Sequence, residues 1–256
     1  MRVLSLCPSI TESLFALGLE PADANGPGIV ARTKFCVEPA GAVEALPVVG
    51  GTKDPRLDRI LALRPDLVLM NEEENRLEDA EALRAAGVRL ETSLPVDAPT
   101  AAAALRAIGA AVGRASEGER LAAAIEAKLE QLSARASERA PTRFLYLIWR
   151  RPWMAAAPST YIDALLGAAG GVNAVGADDP RYPEIALEDF RGHDVDRVLL
   201  SSEPYPFAEQ HLDEVRALVG ADGPSVELVD GRLLSWHGSS TLAGLEYAER
   251  LLVPRS

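Results

Sequence analysis

Blocks of apolar residues alternate along the chain with stretches in which apolar positions recur at helical spacing. Apolar runs at residues 2–7, 66–70, 143–149 and 197–201 have the length of buried strands. The same pattern predicts further strands at residues 28–33, 46–51, 88–92 and 225–230, and helices at residues 10–17, 56–63, 78–86, 99–112, 161–169, 187–191, 208–219 and 241–252. Strands that alternate with helices in this way predict parallel α/β sheets.

The longest predicted helix covers residues 116–140. Ser116 and Glu119 form an S-x-x-E capping box at its start, and Pro141 ends it. Such a helix would be about 35 Å long at the usual rise per residue. Because the alternation of strands and helices restarts after it, the sequence predicts two α/β lobes, residues 1–113 and 142–256, bridged by one long α-helix within residues 114–141.

Composition and charge exclude several classes of function. The net charge is −12 and no basic run is present, which argues against nucleic acid or an anionic membrane as a partner. No apolar run reaches the ~18 residues of a membrane span, so we expect no membrane insertion. The two cysteines do not make a disulfide framework. The chain opens directly on the strand-like MRVLSLC, which predicts a cytoplasmic protein unless the true start lies upstream.

Aromatic residues gather in the loops that follow the predicted strands. Ligands of open parallel sheets bind outside the carboxyl ends of the strands, and two facing lobes would place these loops across a cleft. The rings in or beside these loops are Phe35, Trp149, Trp153, Tyr182, Tyr205, Phe207 and Trp236. Their grouping predicts a flat, largely apolar ligand held between rings, although some of them could instead fill the ends of the lobes.

Evidence for catalysis or metal binding is weaker. The chain has no phosphate-binding loop, no G-x-G-x-x-G after a strand and no G-x-S-x-G. His193 and His211 are predicted on the surface, whereas His237 follows Trp236 in a strand-end loop. Cys7 and Cys36 also lie at strand ends, so a Cys/Cys/His group could bind a soft metal. Two buried, reduced thiols explain the cysteines equally well.

Four segments resemble a known family. These are SLCPSITESLFALGL, LDRILALRPDLVLMNEEENR, RYPEIALEDF and LLSWHGSSTLAGL. With the long central helix, they resemble the cobalamin-binding members of the class III periplasmic binding proteins, a helical-backbone metal-receptor group that includes siderophore and haem receptors. The resemblance implies two Rossmann-like lobes joined by one rigid helix. It also implies a monomeric, non-enzymatic protein without a tightly bound cofactor, which captures a metal chelate, a corrinoid by expectation, for an ABC importer.

The resemblance also suggests contact residues. Phe35 and Trp153 match rings of the cobalamin binders, Tyr182 replaces a Trp, and Trp236 aligns with the Trp of the last strand-end loop. Asn71 and Thr52 stand where the cobalamin binder presents tryptophans, and these departures weaken the expectation of a corrinoid. The full predicted ligand set is Cys7, Phe35, Cys36, Asn71, Trp149, Trp153, Tyr182, Tyr205, Trp236 and His237.

Two acidic residues match the family's permease-docking positions. Asp58 lies in LDRI and Glu188 lies after RYPEI. A charge on each lobe would orient the binder on a basic rim of the permease.

Three classes of function therefore stay open. The first is a binder of a metal chelate, and the second binds a metal ion directly through Cys7, Cys36 and His237. The third is an enzyme acting on a corrinoid, for which only His237 or the cysteines could supply a titratable group.

Overall fold

The computed structural model describes residues 1–23, 25–190, 195–220 and 223–252. The chain divides into two compact units. Unit 1 comprises the described residues within 1–95, 99–124 and 237–240, and unit 2 those within 96–98, 125–236 and 241–256. The predicted fold class is confirmed, because each unit is built on a largely parallel sheet flanked by helices. In the described ranges, none of the helices combines the length and apolar composition needed to cross a bilayer.

Unit 1 contains a four-stranded parallel sheet in the order β2-β1-β3-β4. Its strands are β1 (Arg2–Ser5), β2 (Gly28–Ala31), β3 (Leu67–Asn71) and β4 (Leu90–Ser93), and its helices are α1 (Pro8–Ala16), α2 (Leu57–Ala62), α3 (Leu77–Ala85) and α4 (Ala98–Ala111). Successive strand residues face opposite sides of the sheet. Val3 packs in one core with Ile10 of α1 and Ile108 of α4, and Leu4 packs in the other with Ile60 of α2 and Leu83 of α3.

Unit 2 contains a five-stranded sheet in the order β6-β5-β8-β9, with β7 also paired to β5. Its strands are β5 (Thr142–Trp149), β6 (Met154–Ala155), β7 (Gly171–Asn173), β8 (Arg197–Ser201) and β9 (Ser225–Val229), and its helices are α6 (Tyr161–Ala168), α7 (Glu209–Val219), α8 (Gly231–Ser235) and α9 (Thr241–Leu252). Only β6 runs antiparallel to β5 among these pairs. Phe144 and Tyr146 of β5 pack with α6 and α9, whereas Leu145 and Leu147 pack with α7.

The long helix α5 (Ala115–Ala136) begins in unit 1 and ends in unit 2. In unit 1 it packs closely on α4, because a Cβ at Gly118 would lie 2.8 Å from the Leu105 carbonyl oxygen and 3.3 Å from Gly109 Cα. In unit 2, the Glu249 carboxylate of α9 accepts hydrogen bonds from Lys128 at 2.7 Å and Arg135 at 2.9 Å. These contacts fix each end of the helix on its own unit.

The structure corrects several predicted boundaries. The strand predicted at residues 46–51 is absent, because Pro47 has no N–H and residues 47–50 make only single bonds to residues 32–34. The long helix starts at Ala115, so Ser116 lies inside its first turn and is not the N-cap. It ends at Ala136, where the hydroxyl of Ser137 donates to the Ala134 carbonyl oxygen.

The structure also contains elements that the sequence did not predict. Strands β6 and β7 and helix α8 fall in stretches that were predicted as loop or as the end of a helix. Residues 237–240 belong to unit 1 although the chain on either side belongs to unit 2. The boundaries 1–113, 114–141 and 142–256 stay a prediction from sequence.

The close approach of α4 and α5 generates a stability prediction. We expect Gly118→Ala to lower the free energy of unfolding by about 1–3 kcal/mol, because the added methyl group overpacks the contact with Leu105 and Gly109. Gly167→Ala on α6 is the matched control, since a Cβ there meets no atom within 4 Å. Higher helix propensity should make it neutral or stabilising by up to about 1 kcal/mol. Chemical denaturation followed by circular dichroism measures both, and equal changes would contradict the contact.

Candidate functional site

In unit 1 the strand ends carry a buried group of polar side chains, which we call the polar network. Its members are Cys7, Ser9, Thr11, Thr33, Cys36, Asn71, Asn75 and His237. The Cys7 and Cys36 side chains are free thiols. Cys7 Sγ lies 3.3 Å from Ser9 Oγ, and Cys36 Sγ lies 3.1 Å from the hydroxyls of both Thr11 and Thr33.

The thiol of Cys7 is not poised to act as a nucleophile or as a thiolate ligand. Burial, reinforced by the nearby Glu74 carboxylate, raises the pKa of Cys7 to about 12. A thiol attacks or binds metal as the thiolate, which this environment disfavours at neutral pH. The alternative of buried, reduced cysteines therefore accounts for Cys7.

His237 is held inside the polar network. Its Nε2 lies 3.1 Å from Asn71 Nδ2 and 3.2 Å from Ser9 Oγ. Asn71 Oδ1 accepts the backbone N–H groups of Glu73 and Glu74, so the amide orientation is fixed and Nδ2 is the donor toward His237. Nε2 must then be the unprotonated nitrogen of a neutral imidazole.

The network leaves Asn71 no polar atom for a ligand. Its Nδ2 also donates to the Ser93 carbonyl oxygen at 3.1 Å, and its oxygen already accepts two bonds. The side chain is 3% exposed and its hydrogen-bonding capacity is filled. Asn71 thus organises the loop after β3, a role for which the local sequence gave no signal.

The predicted metal group is not assembled. Within the ranges that the structure describes, no three His, Cys, Asp or Glu side chains lie where they could share a metal ion. Cys7, Cys36 and His237 instead bond to the hydroxyl and amide groups of the polar network. The Ser9–His237 contact has the atoms of a nucleophile–base pair, but Ser9 and His237 are both buried from substrate.

Phe35 is the exposed ring at the strand ends of unit 1. Its side chain is 49% exposed, with Lys34 Nζ 5.0 Å from the ring centroid. Gly51 lies under the ring edge, where a Cβ would come within 3.2 Å of a ring carbon. Phe35 therefore presents an exposed apolar ring at this edge of unit 1.

In unit 2 the strand ends carry a cluster that we call the ring surface, formed by Trp149, Trp153, Tyr205 and Phe207. Trp149 meets Tyr205 edge-on at 5.7 Å between ring centroids, and Trp153 stacks on Phe207 at 6.1 Å. Tyr205 and Phe207 join the two pairs at 4.7 Å. Trp149 is 41% exposed and Phe207 is buried, so the cluster is rooted in the core and open at one side.

Two of the predicted ligand-binding rings are largely engaged in contacts within unit 2. Trp236 is buried, and its Nε1 donates to Glu203 at 3.0 Å. Tyr182 packs against the core beside β5, with the Arg181 guanidinium 5.9 Å from its ring centroid. Both can contribute to a site only through a limited part of their surface.

Of the remaining predicted residues, one histidine is buried and the two acidic docking residues are exposed. His211 was predicted on the surface, and this is wrong, since it is 5% exposed beneath the ring surface. His193 lies outside the described residues. Asp58 on α2 and Glu188 after β7 are both exposed, as docking residues need to be.

Comparison with known proteins gives a consistent result. A family model described as periplasmic binding protein matches residues 3–218. The vitamin B12-binding protein of Vibrio cholerae serotype O1 is 24% identical over 210 residues, covering 82% of this chain and 71% of the relative. The crystal structure of the periplasmic vitamin B12-binding protein of Vibrio cholerae superposes with a TM-score of 0.80 at 22% identity, covering 97% of this chain and 95% of that chain.

A second structure broadens the comparison. The periplasmic heme-binding protein RhuT from Roseiflexus sp. RS-1, in its apo form, superposes with a TM-score of 0.80 at 27% identity, covering 98% of this chain and 95% of that chain. Proteins named for two different macrocycles thus share this fold.

The buried imidazole predicts a pH dependence of stability. Burial lowers the pKa of His237 to about 4 from its ordinary 6.5. The unfolded state therefore takes up the proton first as the pH falls. The contribution of the neutral His237 imidazole to the free energy of unfolding is therefore complete above pH ~6.5. It is lost as the pH falls toward ~4, by about 3 kcal/mol in total.

We expect His237→Gln, which keeps an acceptor for Asn71 but does not titrate, to remove this contribution. Between pH 7 and pH 4, the free energy of unfolding measured by chemical denaturation should fall less steeply for the variant than for the parent protein. The carboxylates contribute equally to both proteins, so an equal pH dependence of the two would contradict a role for His237.

Proposed function

Because the chain belongs to the periplasmic binding protein family, we propose that it captures a metal chelate, a corrinoid such as cobalamin, and delivers it to an ABC importer. The observation that carries the proposal is the ring surface of unit 2, which opens at the carboxyl ends of parallel strands. Ligands of such sheets bind at these ends. Aromatic faces suit a flat macrocycle, since they supply a large apolar contact area at low entropic cost.

The relatives support a corrinoid as the ligand. The Vibrio cholerae relative is named for vitamin B12, and it is similar over most of this chain. Exposed Phe35 adds a ring at the strand ends of unit 1. That the two strand-end surfaces face a common cleft stays the prediction of the sequence, as does a monomeric state.

Haem is the second candidate, favoured by the similarity to the Roseiflexus heme-binding protein. The direct-ion and enzyme alternatives are disfavoured by the buried thiol of Cys7 and the filled contacts of His237. As a member of a periplasmic family, the protein is proposed to act outside the cytoplasmic membrane.

Calorimetric titration with cyanocobalamin, and separately with haemin, tests the ligand. We expect saturable binding of the corrinoid, and preferential binding of haemin would replace the corrinoid with the second candidate. We also expect Trp149→Ala and Trp153→Ala each to weaken binding about tenfold or more, as loss of an aromatic anchor does.

Leu228→Ala is the matched control for the ring variants. Leu228 is an exposed apolar residue on β9 of the same unit, and it lies outside the ring surface. If Leu228→Ala weakens binding as much as the tryptophan variants do, the ring surface is not the binding site. The same conclusion follows if loss of both tryptophans leaves binding unaffected.

We propose that Asp58 and Glu188 dock the protein on its permease. Charge reversal in Asp58→Arg or Glu188→Arg should slow association with the reconstituted importer, and the effect should shrink at high salt, because exposed charges act mainly on the on-rate. Chelate binding should be unchanged. Glu78→Arg, an exposed acid on α3, is the control, and an equal loss there would indicate a general charge effect.

A further inference from the structure

His211 lies beneath the ring surface and contacts two of its four members. Its imidazole meets the Tyr205 ring at 5.5 Å and the Phe207 ring at 5.5 Å, both in edge-on geometry. His211 occupies the first turn of α7, and its backbone N–H donates to the Ala208 carbonyl oxygen at 2.8 Å. The backbone of His211 is thus fixed at the start of the helix, while its imidazole packs against the two rings.

The hydrogen bonds determine which nitrogen of His211 faces Tyr205. The backbone N–H of Ala208 donates to His211 Nδ1 at 2.9 Å, so Nδ1 is the acceptor in the neutral ring. This is the place that a Glu or Gln takes in a capping box. Nε2 then carries the proton and donates to the Tyr205 hydroxyl at 3.3 Å.

Helix α7 also binds the residue that follows Trp149 in the chain. Glu214, one turn after His211, accepts two hydrogen bonds from Arg150, each at 2.8 Å. This pairing raises the pKa of Arg150. Helix α7 therefore contacts Tyr205 through His211 and fixes, through Glu214, the residue that follows exposed Trp149.

We propose that His211 is a positioning residue for chelate binding: it orients Tyr205, and through Tyr205 the exposed face of Trp149, without touching the ligand. The inference rests on the proposed function, since it assigns a part in the same ring surface. A ring that is already oriented loses less freedom when a ligand covers it, which strengthens binding without an added contact.

A double-mutant cycle between His211→Phe and Tyr205→Phe tests this. His211→Phe keeps an aromatic ring and removes both nitrogens, whereas Tyr205→Phe removes only the hydroxyl. The first readout is the near-UV circular dichroism of Trp149 in the ligand-free protein, assigned by difference from Trp149→Phe. We expect each single variant to change this signal and the double variant to add nothing further.

The second readout is cyanocobalamin affinity by calorimetry. We expect each single variant to bind about 3–10-fold more weakly, as loss of one hydrogen bond predicts, and the double variant to bind no more weakly than either. Gln210→Ala, an exposed change on the same helix, should leave both readouts unchanged. Unlike His211→Phe, His211→Gln keeps an acceptor for the Ala208 N–H. It does not place a donor at the Tyr205 hydroxyl in the same geometry, so it distinguishes helix capping from ring positioning.

The outcomes divide cleanly. Additive effects of the two substitutions, an unchanged Trp149 signal, or full rescue by His211→Gln would each overturn the positioning role. If the parent protein binds no cyanocobalamin, the proposed ligand fails. The Trp149 signal still decides whether His211 orients the rings.

Discussion

Burial of the central strands of each sheet on both faces is the constraint on which the rest of this structure depends. Strand residues such as Leu4 and Val3, or Tyr146 and Leu145, point to opposite cores and are all buried. A strand covered on both sides has no free surface except at its ends. The carboxyl ends of these strands, where ligands of parallel sheets bind, are formed by loops that are each anchored to a buried strand.

The two units use their strand ends differently. In unit 1 the ends are occupied by amide, hydroxyl and thiol groups that satisfy one another, as Asn71 and Asn75 do for the loop after β3. A buried polar group costs stability unless it is paired, so a filled network of this kind fixes the loop and leaves little for a ligand. In unit 2 the ends carry the ring surface, which is rooted in the core at buried Phe207 and exposed at Trp149.

The fold was predictable because its signals are local. Helical and strand periodicity located β8 and α9 at the observed residues, and most other boundaries to within two or three residues. The failures occurred where the pattern was interrupted by proline, as at Pro47, or where strands were too short to show a period, as in β6 and β7.

The site was less predictable because its contacts are distant in sequence. Ser9 and His237 are 228 positions apart, and nothing around either residue indicates that they meet. The rings could be found because strand-end loops are identifiable in sequence. Their supports could not, since a histidine on an amphipathic helix such as His211 looks the same whether it is solvated or caps the helix beneath a tyrosine.

The charged groups around the ring surface bear on which macrocycle the proposed function would favour. Two of the charged groups beside the ring surface are engaged within unit 2: Arg150 pairs with Glu214, and Glu203 accepts the indole N–H of Trp236. Charges engaged in this way are not available to a ligand, so the ring surface offers a macrocycle chiefly apolar contact area. Under the proposed function, haem would ask more of this surface than a corrinoid rimmed by amides, because its propionates need charged or hydrogen-bonding partners, and Arg150, already paired with Glu214, does not offer one.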